Sequence, residues 1–200
     1  MGMWKVGKQD KVKIGVAIPC HLEDLSFLRK CLFGINQLNP KPYRIEIDVN
    51  KGERTLREIR ERLFDKLFSE GCDVVLQCSS DFYLFPKILR YVQRERIVTF
   101  PCLTYRISDL PMMILTLLGR GWTGCYSLPK QDWFNKIKDK WDGTDRSIRN
   151  LIKKREYICI KKPCYRAMRP WRSSTLKVEL PKMSFSKRFW FMFTRLKGTK

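Results

Sequence analysis

The sequence predicts an α/β fold: a single Rossmann-like domain with a central, mostly parallel sheet flanked by helices, followed by a basic, aromatic-rich C-terminal tail. Three observations lead there. Short β-rich apolar runs alternate with stretches of helical periodicity over about eighty residues, the pattern of right-handed βαβ units. The 200 residues are 44% hydrophobic and 12% aromatic, enough to bury a core in one domain. The periodicity then fails from Lys161 onward, where basic residues, prolines and aromatics mix.

The first strand is "KIGVAI" (13–18), a buried run ended by Pro19. In "EDLSFLRKCLFGINQL" Leu25, Leu28, Leu32 and Ile35 recur at helical spacing, with Asp24 placed to cap the first turn. "RIEIDV" (44–49) is the second strand. "TLREIRERLFDKLFSEG" sets Leu56, Ile59, Leu63 and Leu67 on one stripe, spaces Glu58 and Arg62 for an outward i,i+4 pair, and stops at Gly71. "DVVLQC" (73–78) is the third strand. "IVTF" (97–100) reads as a strand, and "LPMMILTLL" as a short apolar helix or packed connection. "DGTDRSIRNLIKKREYICI" reads as a turn, a helix capped near Thr144 or Asp145, and a strand. This divides the chain into a domain over 1–160 and an extension over 161–200. No internal repeat is present.

In open parallel sheets ligands gather at the carboxyl ends of the strands. Three predicted strands end there in polar loops: Pro19-Cys20-His21, Asp48-Val49-Asn50 and Ser79-Ser80-Asp81. The formal charge is +21, and residues 151–200 hold fifteen Lys and Arg against Glu156 and Glu179, a net of +13. Such a field attracts polyanions: nucleotide phosphates, nucleic acid or an anionic lipid surface. Eight cysteines form no CxxC pair, which argues against a structural zinc site and for reduced core thiols, disulfides entering only for an extreme thermophile. One histidine, His21, rules out a multi-histidine metal site. There is no signal-peptide pattern and no apolar run of about 18 residues, so the expected location is cytoplasmic, peripheral to a membrane if the tail engages one.

Over roughly residues 12–160 the chain resembles the family-two glycosyltransferases of GT-A fold. "VAIPCHLEDLSFLRKCL" is similar to their opening strand and P-T/C-x-N/x-x-E-like segment through Pro19 and Glu23. "IEIDVN" offers Asp48 where members carry a base-contacting aspartate, and Arg57 lies on the basic helix that follows. "VLQCSSDFYLFP" aligns with a D-A-D-x-x-L-x-P-like metal motif, with Ser79, Ser80 and Asp81 at the three key positions. "GWTGCYSL" resembles the acceptor loop through Trp122, Thr123 and Gly124, and "GTDRSIRNL" the E-D pair through Thr144 and Asp145. Two positions depart: Ser79 and Thr144 stand where the pattern has carboxylates.

The resemblance implies a glycosyltransferase taking a nucleotide diphospho-sugar donor and a glycan, lipid or protein acceptor, inversion with Asp145 as base, and Mn or Mg held at Asp81. A departing diphosphate gains negative charge, which a cation, Lys or Arg offsets. Inversion needs a base facing away from the leaving group. Each residue also has a plainer reading. Asp81 is a ligand or the cap of a helix begun near Pro86, Asp145 a base or a helix-start carboxylate, and Asp48 a base contact or a loop aspartate. Glu23 reads first as an ordinary first-turn carboxylate and His21 as a filler. Trp122 and Trp133 stack on sugars or belong to the core. "FSKRFWFMFTRLK" (185–197) is a membrane-interface segment or a final packed element. Two further function classes stay open: a nucleic-acid-binding α/β protein, from the charge, and a catalytically silent relative, from Ser79 and Thr144.

Overall fold

The computed structural model describes residues 12–103, 114, 124–152 and 156–168, the side chains of Arg146 and Arg149 excepted. Among the described residues the strands are β1 Ile14–His21, β2 Arg44–Asn50, β3 Val74–Gln77, β4 Phe82–Leu84, β5 Ile97–Thr99, β6 Cys102–Leu103, β7 Tyr126–Pro129, β8 Tyr157–Cys159 and β9 Tyr165–Ala167. The helices used below are α1 Leu25–Asn36, α2 Leu56–Ser69 and α3 Asp145–Leu151. Irregular helical turns cover 130–140. A six-stranded sheet runs β2-β1-β3-β7-β5-β8, and a three-stranded sheet runs β4-β9-β6.

The main sheet is mostly parallel, as the alternating pattern predicts. β1 pairs in parallel with β2 and β3, and β5 with β8. β7 is the exception, antiparallel to both β3 and β5. Its start therefore lies at the rim where its neighbours end, and Gly124 arrives there with it.

Side-chain alternation sends the two faces of the sheet into two cores. Val16, Ile18, Leu76 and Val98 face Cys31 and Ile35 of α1 together with Leu84 and Tyr165 of the small sheet. Ala17, Val75 and Leu128 face Leu63, Phe64 and Leu67 of α2 and the ring cluster Trp133–Trp141. Gly15 permits α2 to approach, since a Cβ there would sit 3.0 Å from Leu67 Cδ2.

α2 starts on a capping box: Thr55 Oγ1 accepts from Glu58 N, and Thr55 N donates to Glu58 Oε2 at 2.6 Å. It ends at Gly71, φ +88°. Glu58 thus serves the cap and Arg62 turns to Asp48, so the outward Glu58–Arg62 pair does not form. The α1 start also differs from expectation. Asp24 makes no capping bond. Instead His21 Nδ1 accepts from Glu23 N across a turn of 3-10 helix, which precedes α1.

Edge strand β2 meets α2 through charge. Arg44, Glu46 and Asp48 share one face and reach Glu70, Lys66 and Arg62, with N···O distances of 2.7, 2.6 and 2.6 Å. Four helical residues rise about 6 Å and two strand residues about 6.6 Å, so the two rows stay in step. After Asp81 the chain enters β4 rather than a helix, and the turn at Ile88–Tyr91 comes later. The body continues past residue 160: Cys164 and Tyr165 are buried, and β9 completes the small sheet.

Candidate functional site

The carboxyl rim of β1, β2 and β3 carries Pro19, Asp48 and the turn Ser79-Ser80-Asp81. Pro19 is buried in β1, in register with Asp48. Asp48 is 2% exposed and accepts from Arg54 Nη1 and Nη2 at 2.7 and 2.6 Å and from Arg62 Nε at 3.0 Å. Asn50 steadies that turn, donating to Arg54 O and accepting from Arg54 N. Burial raises the Asp48 carboxyl, but the hydrogen bonds and charges of Arg54 and Arg62 outweigh it and hold it below the ordinary range. With both oxygens engaged, the surface offered here is guanidinium rather than carboxylate. The sequence offers Arg54 only as a cation to share the diphosphate charge and Arg62 only as half of a pair with Glu58; their contact with Asp48 comes from the fold.

Glu23 extends into solvent with a long 3.8 Å contact to His21, so its first-turn reading fits. Arg57 makes an i,i+4 pair with Glu61 on α2, and its backbone lies directly under Gly143.

At the third strand, Ser79 O accepts from Phe82 N, closing a turn that draws Ser80 and Asp81 inward. Ser80 is fully buried, and its Oγ has no hydrogen-bond partner among the described residues. Asp81 is 8% exposed, and its carbonyl accepts from Met168 N at 2.8 Å, which anchors the motif to the end of β9. Because β4 follows, the helix-cap reading of Asp81 fails. Among the described residues no three His, Cys, Asp or Glu side chains cluster as a metal site. A cation at Asp81 would draw its other ligands from phosphate and water, a hard-oxygen set that suits Mg or Mn.

Asp145 opens α3. Thr144 supplies the cap, its hydroxyl accepting from Ser147 N, so the Asp145 carboxylate has other work. Oδ1 accepts from Arg60 Nη1 at 2.9 Å, and the same nitrogen donates to Gly143 O at 2.9 Å. Arg60 comes from α2 and is buried. Burial favours its neutral form, but the Asp145 charge prevails and keeps the guanidinium firmly protonated. Asp145 Oδ2 points elsewhere: a Cβ on Gly124 would lie 3.3 Å from it and 3.5 Å from the Phe82 ring. Gly124 O in turn accepts from Gln77 at the end of β3.

The fold therefore gathers Phe82 beside Asp81, the Gly124 backbone and Asp145 at one place. Asp48 belongs to a separate cluster with Arg54 and Arg62. Arg60 was missed in the sequence because it reads as one more base on a basic helix; only its inward phase marks it. Trp133 is fully buried, donates to Asp65 Oδ1 and meets the Phe64 and Trp141 rings edge-on in the core. Trp122, Thr123, the "LPMMILTLL" stretch apart from Ile114, and the tail beyond Met168 lie outside the described residues.

No protein-family model matches the chain, and no curated protein matches it. Among solved structures it is similar to the glycosyltransferase GlyE of Streptococcus pneumoniae TIGR4. The apo form superposes with TM-score 0.49 at 10% identity over 92% of this chain, and a second GlyE structure with 0.46 at 12% over 92%. A glycosyltransferase involved in glycosylation of the major capsid of PBCV-1 superposes with 0.47 at 10% identity, covering 90% of this chain and 98% of that one. The chain spans 64% of the length of the GlyE chains. Likenesses of this size assign neither a family nor an activity.

Proposed function

We propose that the protein is a glycosyltransferase that moves a sugar from a nucleotide diphospho-sugar to an acceptor hydroxyl, with inversion and with Asp145 as the base. One observation carries the reading: Asp145 Oδ2 faces the Gly124 backbone and the Phe82 ring next to Asp81, at the carboxyl rim of an α/β sheet. Asp145 supplies the proton acceptor from α3 in this reading, and Asp81, next to Phe82 in the chain, supplies the phosphate-side carboxylate.

In this reading Asp81 would hold a divalent cation, which would supply charge neutralisation for the departing diphosphate. Ser79 and Ser80 line that turn without adding charge. Arg54 and Arg62, fixed by Asp48, present cationic N–H groups to the nucleotide half. Pro19 shapes the wall beneath them, and Glu23 and Arg57 flank it. Asp145 takes the acceptor proton on Oδ2 while Arg60 holds Oδ1. Trp122 and Thr123 belong to the acceptor loop, and the basic tail approaches anionic lipid. The acceptor is a glycan, a lipid or a protein.

A thermal-shift screen of uridine, guanosine, thymidine and cytidine sugar nucleotides at millimolar concentration with Mn tests donor binding, since a ligand of the folded state raises the melting temperature. At least one should shift it, and Asp145→Asn should retain that shift while turnover falls about 100- to 10,000-fold. A flat response to every nucleotide overturns the reading.

A further inference from the structure

α1 contains no acidic residue, and its outward side is not the polar surface a helix on a sheet normally presents. Cys31, Gly34 and Ile35 turn to the core. On the opposite side Leu25, Arg29 and Phe33 follow one another at i, i+4 and i+8. Leu25 is 44% exposed and Phe33 59%, with Arg29 and Lys30 exposed beside them. Leu22, 45% exposed, extends the stripe toward the rim. Exposed Glu23 stands at that end and is the opposing charge.

The edge strand continues the same side of the molecule. β1 and β2 pair Val16 with Ile45, Ile18 with Ile47 and Cys20 with Val49. Val16 and Ile18 pack under α1, so Ile45, Ile47 and Val49 stand on the face of the sheet that α1 covers. They lie beyond its shelter, at 37–39% exposure, while the acids of β2 turn to the α2 side.

Exposed aliphatic and aromatic groups interspersed with cations suit a bilayer interface: the apolar groups enter the acyl boundary while Arg and Lys meet anionic headgroups. The net charge of +21 sharpens the choice of occupant. It repels a second copy of the chain and draws the protein to a negative surface. We infer that this face of α1 and β2 docks on an anionic lipid bilayer, independently of the catalytic reading.

The test uses the full chain and sedimenting vesicles of phosphatidylcholine with about 30% phosphatidylglycerol, against phosphatidylcholine alone, in about 0.1 M salt. The protein should bind the anionic vesicles and largely ignore the neutral ones. Leu25→Gln with Phe33→Gln should weaken binding about tenfold, and so should Arg29→Gln with Lys30→Gln. The melting temperature should hold, because all four side chains are exposed. The tail is present in every variant, so a loss belongs to this face. Binding of the Leu25/Phe33 variant within about twofold of the parent overturns the inference, as does failure of the parent to bind anionic vesicles. A dimer in sedimentation equilibrium that the same variant dissociates would assign the face to a second copy and also overturn it.

Discussion

Arg60 and Asp145 bring opposite charges into a place largely withdrawn from water, at 7% and 29% side-chain exposure. Arg60 Nε finds no acceptor among the described residues, so the pair is not an optimised structural bridge. Removing one partner strands the other. Asp145→Ala should destabilise the fold by about 3–5 kcal/mol, and adding Arg60→Met should recover much of that. Urea midpoints of the parent, both single variants and the double variant measure the coupling, and additive losses would show that the contact is weak. Asp48 yields a pH prediction. Its folded value lies below its ordinary 3.8, so its contribution is complete above 3.8 and lost as pH falls through the lowered folded value. Asp48→Asn should therefore be less stable than the parent at neutral pH. The gap should close in acid, read as urea midpoints across about pH 7 to 2.

α2 and α3 are docked by a turn that tolerates nothing beyond hydrogen. Gly143 has φ +90°, and a Cβ there would lie 2.5 Å from Arg57 Cβ and 2.8 Å from its Cα. Backbone cannot yield as a flexible side-chain tip can. Gly143→Ala should cost about 2–4 kcal/mol and push the Asp145 end of α3 away from Arg60. Gly52 is the control: its φ is +99° but a Cβ would meet open space, so Gly52→Ala should cost only about 1 kcal/mol. Equal losses in thermal or urea unfolding would mean that backbone strain, and not the α2–α3 approach, sets the cost at Gly143. The charged face of β2 works at the same scale. Lys66 and Arg62 replace the apolar ridge a helix usually sets on a strand, which explains a buried aspartate at the edge of the sheet.

Across the molecule all eight cysteines are free thiols. Burial raises the Cys72 thiol to about 11 and the Cys164 thiol to about 12, and pushes Cys78 and Cys125 well above the ordinary range. Cys31 and Cys78 lie with sulfurs 3.8 Å apart in the α1 core. The thiolate is the reactive form. At about pH 8 a thiol reagent should label Cys159, the half-buried one, first, and the others only when the chain unfolds. Mass spectrometry resolves the order, and rapid labelling of Cys78 or Cys125 in the native protein would contradict the packing. No described helix is long and apolar enough to cross a membrane.

Local periodicity determined the order of strands and helices through β3, the stop at Gly71 and a helix start at Thr144 or Asp145, because these depend on neighbours a few residues apart. The polar strand ends at Asp48 and Asp81 were legible for the same reason. Only the tertiary structure decided what those residues touch. That β7 runs backwards, that residues 161–168 complete a second sheet, and that Arg60 reaches a carboxylate 85 positions away all depend on contacts between distant segments. Asp48 shows the limit within six residues: the sequence places it at a strand end. Whether its oxygens meet a ligand or two arginines depends on how α2 turns over the sheet, and that phase is set by Leu63, Phe64 and Leu67 seeking the core below.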